Sequence, residues 1–328
     1  MTFNAGWTGM LEFVKETTFG VIPENPTMEY IGVVENSTIS DNPIITSKRY
    51  LVQDGYTDTA GNLKTSAYKH QKTSSEISVD LTYYPKSIWS GFLPYALGNP
   101  SLTGGAAVTG AVDNIGDSFS VGGYVLGTPK YIVYSGGYVE SLSIEIPKDE
   151  MIKCDATLGF ANSGSNVGSP TYANTANPLA SDYVGTGSHA AEVVGDILTF
   201  DSVTASTLTP DEGSAVNDIL ESVTINIDNN VEWIKELGSG FSTKRSAAQI
   251  LGRDITLSIE LTYDDLALYD EIFNGTDFTY SMTIDGYIFE FGGFKFPEYP
   301  LNMNPEELLG ESIESTQVTT LKITEPSA

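Results

Sequence analysis

Cysteine occurs once, at Cys154, so no internal disulfide framework can form. Histidine occurs only at His70 and His189. That scarcity removes the usual routes to Ser–His or Cys–His nucleophilic catalysis and leaves no cluster with zinc spacing. Cations are few as well. Against 43 Asp and Glu stand 16 Lys and Arg, for a formal net charge of -27. A surface of that sign repels nucleic acid, which argues against ordinary DNA or RNA binding. No apolar run approaches a membrane span, and Met1 to Leu11 lack the basic start and long apolar stretch of a signal peptide. The expectation is a protein made in a cytoplasm that stays soluble until it assembles.

Other catalytic and cofactor signatures are missing too. Gly104-Gly105 and Gly122-Gly123 lack the strand–glycine–helix setting of a nucleotide fingerprint. Asp211-Glu212-Gly213 and Asp264-Asp265 are acidic turns without the ligand series of an EF-hand loop. His70 and His189 read as exposed loop residues. No catalytic, cofactor-binding or metal-binding residue is assigned, and the chain reads as non-enzymatic. A glycosidase-type carboxylate pair leaves no local mark among so many acids, so a hydrolase stands only as a remote alternative.

What is present is alternation with period two. Ile77, Val79, Leu81 and Tyr83 alternate with polar residues, as do Leu142, Ile144 and Ile146, then Ile152, Cys154, Ala156, Leu158 and Phe160. Pro147-Lys148-Asp149-Glu150 suits a tight turn, so residues 139–160 read as a hairpin, with Cys154 facing a core. Val223, Ile225 and Ile227 repeat the pattern, followed by Ile255, Leu257, Ile259 and Leu261. Asp285-Gly286 between two further runs predicts a two-residue type I′ turn. Helices are expected only at Ser87–Leu97, where Pro94 kinks or shortens the segment, and at Asp264–Phe273. In the second, Leu266, Tyr269 and Phe273 form an apolar stripe that would plug a sheet. Residues 101–123 and 162–218 read as loop-like, the latter as an inserted surface element.

Two halves share an ordered series. Glu35-Asn36-Ser37-Thr38 and Glu221-Ser222-Val223-Thr224 each begin an alternating run. A polar stretch with Lys-Arg follows (Lys48-Arg49, then Lys244-Arg245), and each strand after it ends in Leu-Thr-Tyr, at Tyr83 and Tyr263, before a helix. The fold class expected is mainly β: tandem β-sandwich or barrel-like domains, each flanked by a short helix. The expected division is 1–125 and 126–328, with 162–218 inserted in the second.

Lys15-Glu16-Thr17-Thr18-Phe19-Gly20-Val21-Ile22-Pro23, then Asn42-Pro43, Ser47-Lys48-Arg49, Gly55 and Ala96-Leu97-Gly98-Asn99-Pro100 carry a family likeness. Tyr134-Ser135-Gly136-Gly137-Tyr138, Ile227-Asp228-Asn229-Asn230-Val231-Glu232 and Leu268–Thr276 continue it. In their order these strings resemble the tail tube proteins of long-tailed viruses, in patches that skip about 101–130 and 162–218. The resemblance implies a β-sandwich or barrel-like domain whose edges join into rings, and rings that stack into a hollow tube carrying the genome. It implies a virion location, with tape-measure and tail-terminator proteins as further partners and viral DNA passing without specific binding. It also implies that a long loop, here Asn42–Ser74 and again Asn229–Arg253, contacts the neighbouring ring. If the duplication is real, homotrimeric rings of pseudo-sixfold shape follow in place of hexamers. Lys48, Arg49, Lys244, Arg245, Asn229, Asn230 and Glu232 are the expected contacts between subunits or rings. A β-sandwich virion decoration or adhesin module is the alternative.

Overall fold

The structure is a computed structural model that describes residues 11–23, 27–50, 67–98, 102, 106–109, 116–125, 130–163, 188–189, 197–211, 213, 216–217, 220–235, 245–262, 266–298 and 310–326. Its first half contains β1 (Leu11–Lys15), β2 (Thr27–Tyr30), β3 (Val33–Tyr50), β4 (Ala67–Tyr84), α1 (Leu93–Ala96), β5 (Ala106–Thr109), β6 (Phe119–Val125), β7 (Lys130–Pro147) and β8 (Lys153–Ser163). There follow β9 (Ser188–His189), β10 (Val203–Pro210), β11 (Val216–Asn217), β12 (Leu220–Asp228), β13 (Val231–Lys235), β14 (Arg245–Ile250) and β15 (Asp254–Thr262). Last come α2 (Leu266–Phe273), β16 (Phe278–Ile284), β17 (Tyr287–Phe294), β18 (Gly310–Glu314) and β19 (Thr320–Thr324).

Among the described residues the chain is thus mostly β, in antiparallel sheets of eleven, six and two strands with two short α-helices and one 3-10 turn at Phe200–Ser202. Only β2 and β9 pair in parallel among the described strands, and no sheet closes into a barrel. The apolar faces of the two large sheets contribute to one continuous core, from Phe13, Val79 and Leu158 to Ile225, Leu257, Phe278 and Phe291. Burying each such aromatic or aliphatic side chain contributes about 1.5–3 kcal/mol, which is what period-two alternation achieves in a half-wet sheet.

Several expectations hold in detail. β7 and β8 form the hairpin around Pro147–Glu150, with Asp149 at φ 63°. β16 and β17 pair through Asp285 (φ 50°) and Gly286 (φ 79°), the positive pair that a type I′ turn requires. Cys154 is buried between β4 and β7, and burial pushes its thiol up to about 12, so the thiolate is strongly disfavoured.

The first helix is shortened as expected, with Pro94 inside its four residues. Other expectations are corrected. In α2 Ile272 is buried and Phe273 is 79% exposed, so Phe273 is not part of a buried stripe; the side chains of Leu266 and Tyr269, together with Asp264 and Asp265, lie outside the described residues. Asn42–Ser74 is not simply a loop, because Asn42 to Tyr50 and Ala67 to Ser74 are the outer arms of the β3–β4 hairpin. Asn229–Arg253 likewise carries the β13–β14 pair. His70 stands on β4 opposite Ser47, and His189 on β9. Residues 101–123 contribute β5 and most of β6, and 162–218 contribute β10, which pairs along its length with β16. Their Gly, Ser, Thr and Ala composition hid these strands.

The two halves use the same series of pairings. β1 pairs with β2 and β6, setting Phe13 opposite Glu29 and Val121; β10 pairs with β11 and β16, setting Leu208 opposite Val216 and Tyr280. A long arm follows in each half: β3 with β4, then β12 with β15 extended by β13 with β14. Each arm leads to a helix and then to a hairpin, β6–β7 or β16–β17. The closing strand β8 pairs with β4 through Cys154 to Phe160 and with β7 from Lys153 to Ser163. Its counterpart is divided: β18 pairs with β15, and β19 with β17.

The motif around Glu16 is a structural device. Its carboxylate is 3% exposed and accepts hydrogen bonds from the backbone N–H groups of Gly20 and Gly136 (both 2.8 Å) and from the hydroxyls of Ser118 and Ser120 (both 2.5 Å). Gly136 has φ 67°, and a Cβ there would lie 2.7 Å from that of Ala161, so glycine is required where this turn meets β7.

Candidate assembly surfaces

Two surfaces follow from this topology. The first is the wet face of the large sheet. Strands run side by side in the order β3, β4, β8, β7, β12, β15, β18. Cross-strand rows on this face are short and polar. One runs Thr82, Asp155, Ser143, Asn226, Thr256, and the next Asp80, Thr157, Ser141, Asp228, Asp254. Thr82 donates to Asp155, Thr157 to Asp80 (3.0 Å), Ser143 to Asn226 (2.8 Å) and Ser222 to Glu260 (2.9 Å). Asn36, Thr38, Asp80, Ser141, Asp155 and Asp228 line a shallow groove across it. Lys153 lies between Glu145 (3.6 Å) and Asp155 (3.3 Å), but Glu76, Asp80, Asp228, Glu260 and Glu314 keep the face acidic.

The second is the seam where the second arm meets the first half. β12 adds to the edge of β7, from Asp228 opposite Ser141 to Ser222 opposite Pro147. At its end the buried Asn229 donates from Nδ2 to the carbonyls of Ala96 (3.0 Å) and Val139 (2.9 Å), and its Oδ1 accepts from Arg253 Nε (2.7 Å). Trp233 packs against Tyr138 with centroids 6.0 Å apart and donates to Glu140 (2.8 Å). Arg245 lies 4.5 Å over the Trp233 ring and donates to the Phe160 carbonyl (3.1 Å). Burial lowers the Arg245 pKa, partly opposed by Glu140 and Glu76.

Gly159 makes room for this docking. A Cβ there would collide with Glu140 Oε1 and come within 2.6 Å of Trp233 Cζ2. Gly159→Val is therefore expected to lift Trp233 off the first half, shift its fluorescence to longer wavelength and cost about 2 kcal/mol, as overpacking does. Unchanged Trp emission in the variant would show that the site can absorb the methyl groups.

The expected contact residues divide accordingly. Asn229 and Arg245 are consumed inside the chain, holding the two halves together. Asn230 and Glu232 are exposed, with Asn230 donating to Asp254 (2.9 Å). Lys48 and Arg49 lie on β3 with only their backbone described, and Lys244 lies outside the described residues. The two Lys-Arg pairs are not in matching places: Arg49 is on the outgoing strand of its arm, opposite Tyr68, whereas Arg245 opens the returning strand, opposite Lys235. Trp233, Glu140, Gly159 and Arg253 escaped sequence reasoning. A signal did exist for the underlying repeat, in Tyr131-Ile132 and Gly136-Gly137-Tyr138 against Tyr287-Ile288 and Gly292-Gly293-Phe294.

Residues 6–312 match the model of a family described as phage tail tube protein. No curated protein matches the chain. Among solved structures, a chain from the virion of a native gene transfer agent particle is similar at 13% identity and a TM-score of 0.30, covering 38% of this chain and 96% of its own; a likeness that slight carries no argument.

Proposed function

The chain belongs to the phage tail tube protein family, and from that premise we propose that three copies, each bearing two tandem β repeats, close a ring of pseudo-sixfold shape. As a member of that family it is a structural, self-assembling component of a viral tail tube, located in the virion, and not an enzyme. The observation that carries the trimer reading is the series of pairings repeated in the two halves, from β1 and β10 through to β8 and β18–β19. The repeats are assigned to 11–163 and 203–324. A division at 125 and 126 would cut the β6–β7 hairpin, where Val125 stands opposite Lys130.

The acidic wet face of the large sheet is assigned to the channel. Carboxylates there repel phosphates and leave DNA without a binding site, through a field that decays over roughly 8 Å at physiological salt. Tape-measure and terminator proteins are the expected further partners. Lys48, Arg49, Asn230 and Glu232 remain assigned to contacts between subunits.

Negative-stain microscopy of the purified protein across a concentration series tests the ring. The expected images are annular particles and stacks with six lobes and threefold averages. Twelve lobes from six chains would overturn the trimer, and single chains at every concentration would overturn assembly itself.

A further inference from the structure

A cleft of about 710 Å³ opens at the base of the large sheet, beside Tyr84, where the end of β4 pairs with Val33. The tip of the β3–β4 arm, with Tyr50 opposite Ala67, lies at the other end of the same strands. One side of the cleft is the β7–β8 turn, and the other is residues 199–201. Backbone hydrogen bonds fix the two sides: the N–H of Ile152 donates to Leu198 (2.9 Å), that of Phe200 to Glu150 (3.0 Å) and that of Leu198 to Pro85 (3.0 Å). The space is therefore preformed, and its volume suits a ligand. Its lining combines apolar surface with carboxylates. Met151 is 49% exposed, and Tyr84, Pro147 and Phe200 are half-buried. Glu145, Asp149, Glu150 and Asp201 stand among them against one cation, Lys153, which Glu145 (3.6 Å) and Asp155 (3.3 Å) already share. Lys148 beside the turn is taken by Glu221 (3.0 Å). The Tyr84 hydroxyl donates to Glu35 (2.8 Å), and that bond, with Glu150 adding to it, raises the Tyr84 pKa.

We infer that this cleft docks an extended basic segment of another protein, with Lys or Arg side chains among the carboxylates and one large apolar side chain against Met151 and Phe200. The sign of the charge excludes phosphates and nucleotides. Among the described residues no group of His, Cys, Asp and Glu is arranged to hold a metal ion, so a bare cation is a poor fit. A small polyamine answers the carboxylates but leaves the apolar surface wet. A basic peptide answers both, because the stems of Lys and Arg lie along apolar surface while their heads stay among polar groups. Guanidinium groups also stack on rings such as those of Tyr84 and Phe200, and the thioether of Met151 adapts to varied side chains. This docking site is independent of how many chains close a ring.

Fluorescence anisotropy of a labelled peptide, Gly-Arg-Lys-Phe-Arg-Gly, tests the site at physiological salt. The peptide is expected to bind, and its counterpart with Gly in place of Phe to bind about tenfold more weakly. Glu150→Lys with Asp201→Lys is expected to abolish the interaction, and Met151→Ser to weaken it several-fold at unchanged charge. All three positions are exposed, and circular dichroism verifies the fold of each variant. The same change of charge in Asp270→Lys with Glu314→Lys, exposed and outside the cleft, is expected to leave the affinity within about twofold. Equal weakening by that pair, or indifference to Phe and to Met151, would reduce the binding to attraction by an acidic surface and overturn the proposal. Full displacement by spermidine at the peptide's own concentration would make this a small-cation site and overturn it too. If the peptide does not bind, the proposal fails, and loss of self-assembly in the cleft variants would then identify a second copy as the occupant.

Discussion

Glu16→Ala is expected to be among the most destabilising single substitutions in the first half, costing about 4 kcal/mol. The carboxylate is nearly out of water and accepts four hydrogen bonds, two of them from the backbone N–H groups of Gly20 and Gly136. Alanine leaves those two amides without an acceptor, each at about 1–3 kcal/mol, whereas the hydroxyls of Ser118 and Ser120 can turn to other acceptors. Relief from holding a charge in a dry site offsets part of the loss, which is why the effect stays below the sum of four bonds. Glu16→Gln keeps the shape but turns one acceptor into a donor, so it should fall between wild type and alanine. Urea unfolding at neutral pH checks the order and the size. A loss under about 1 kcal/mol for alanine would mean that water replaces the carboxylate at little cost.

How much of this was legible beforehand depended on whether a strand had a core to face. Ile77 to Tyr83, Ile152 to Phe160 and Ile255 to Leu261 alternate because one side is buried, and each appears as a strand where expected. The outer β3–β4 arm and β10 carry Ser, Thr, Lys and Ala without that rhythm, and from sequence alone they look like loops. Their strand state is set by partners distant in sequence, such as β16 for β10, which local propensity does not contain. The Glu16 string carries part of the family likeness, but its physical content is not local, because three of its hydrogen-bond donors lie about a hundred residues away at Ser118, Ser120 and Gly136. Asn229, an expected contact between subunits, is buried within one chain and donates to the carbonyls of Ala96 and Val139. A polar Asp-Asn-Asn string looks like an exposed turn unless its acceptors are known.

The second large effect is expected at that residue. Asn229→Ala removes both donors that satisfy the Ala96 and Val139 carbonyls and the acceptor for the Nε of Arg253, which is only 4% exposed. Burial already lowers the Arg253 pKa, so losing its partner leaves a guanidinium with less compensation in the same dry place. The expected cost is about 3 kcal/mol, larger than for truncation of an exposed asparagine. Asn229→Asp separates the contributions, since it keeps an acceptor for Arg253 but turns two donors toward carbonyl oxygens into acceptors. If the Arg253 contact dominates, aspartate should recover most of the loss; if the carbonyls dominate, it should be no better than alanine. Location matters as much as magnitude. Because Asn229 ties α1 and β7 to the corner between β12 and β13, its loss should raise hydrogen exchange first in β13 and β14 and redden Trp233, while β16 and β17 stay protected. Uniform loss of protection in all sheets would show instead that the seam is part of one cooperative core. A local loss would mean that the halves fold as units and are fastened by this corner.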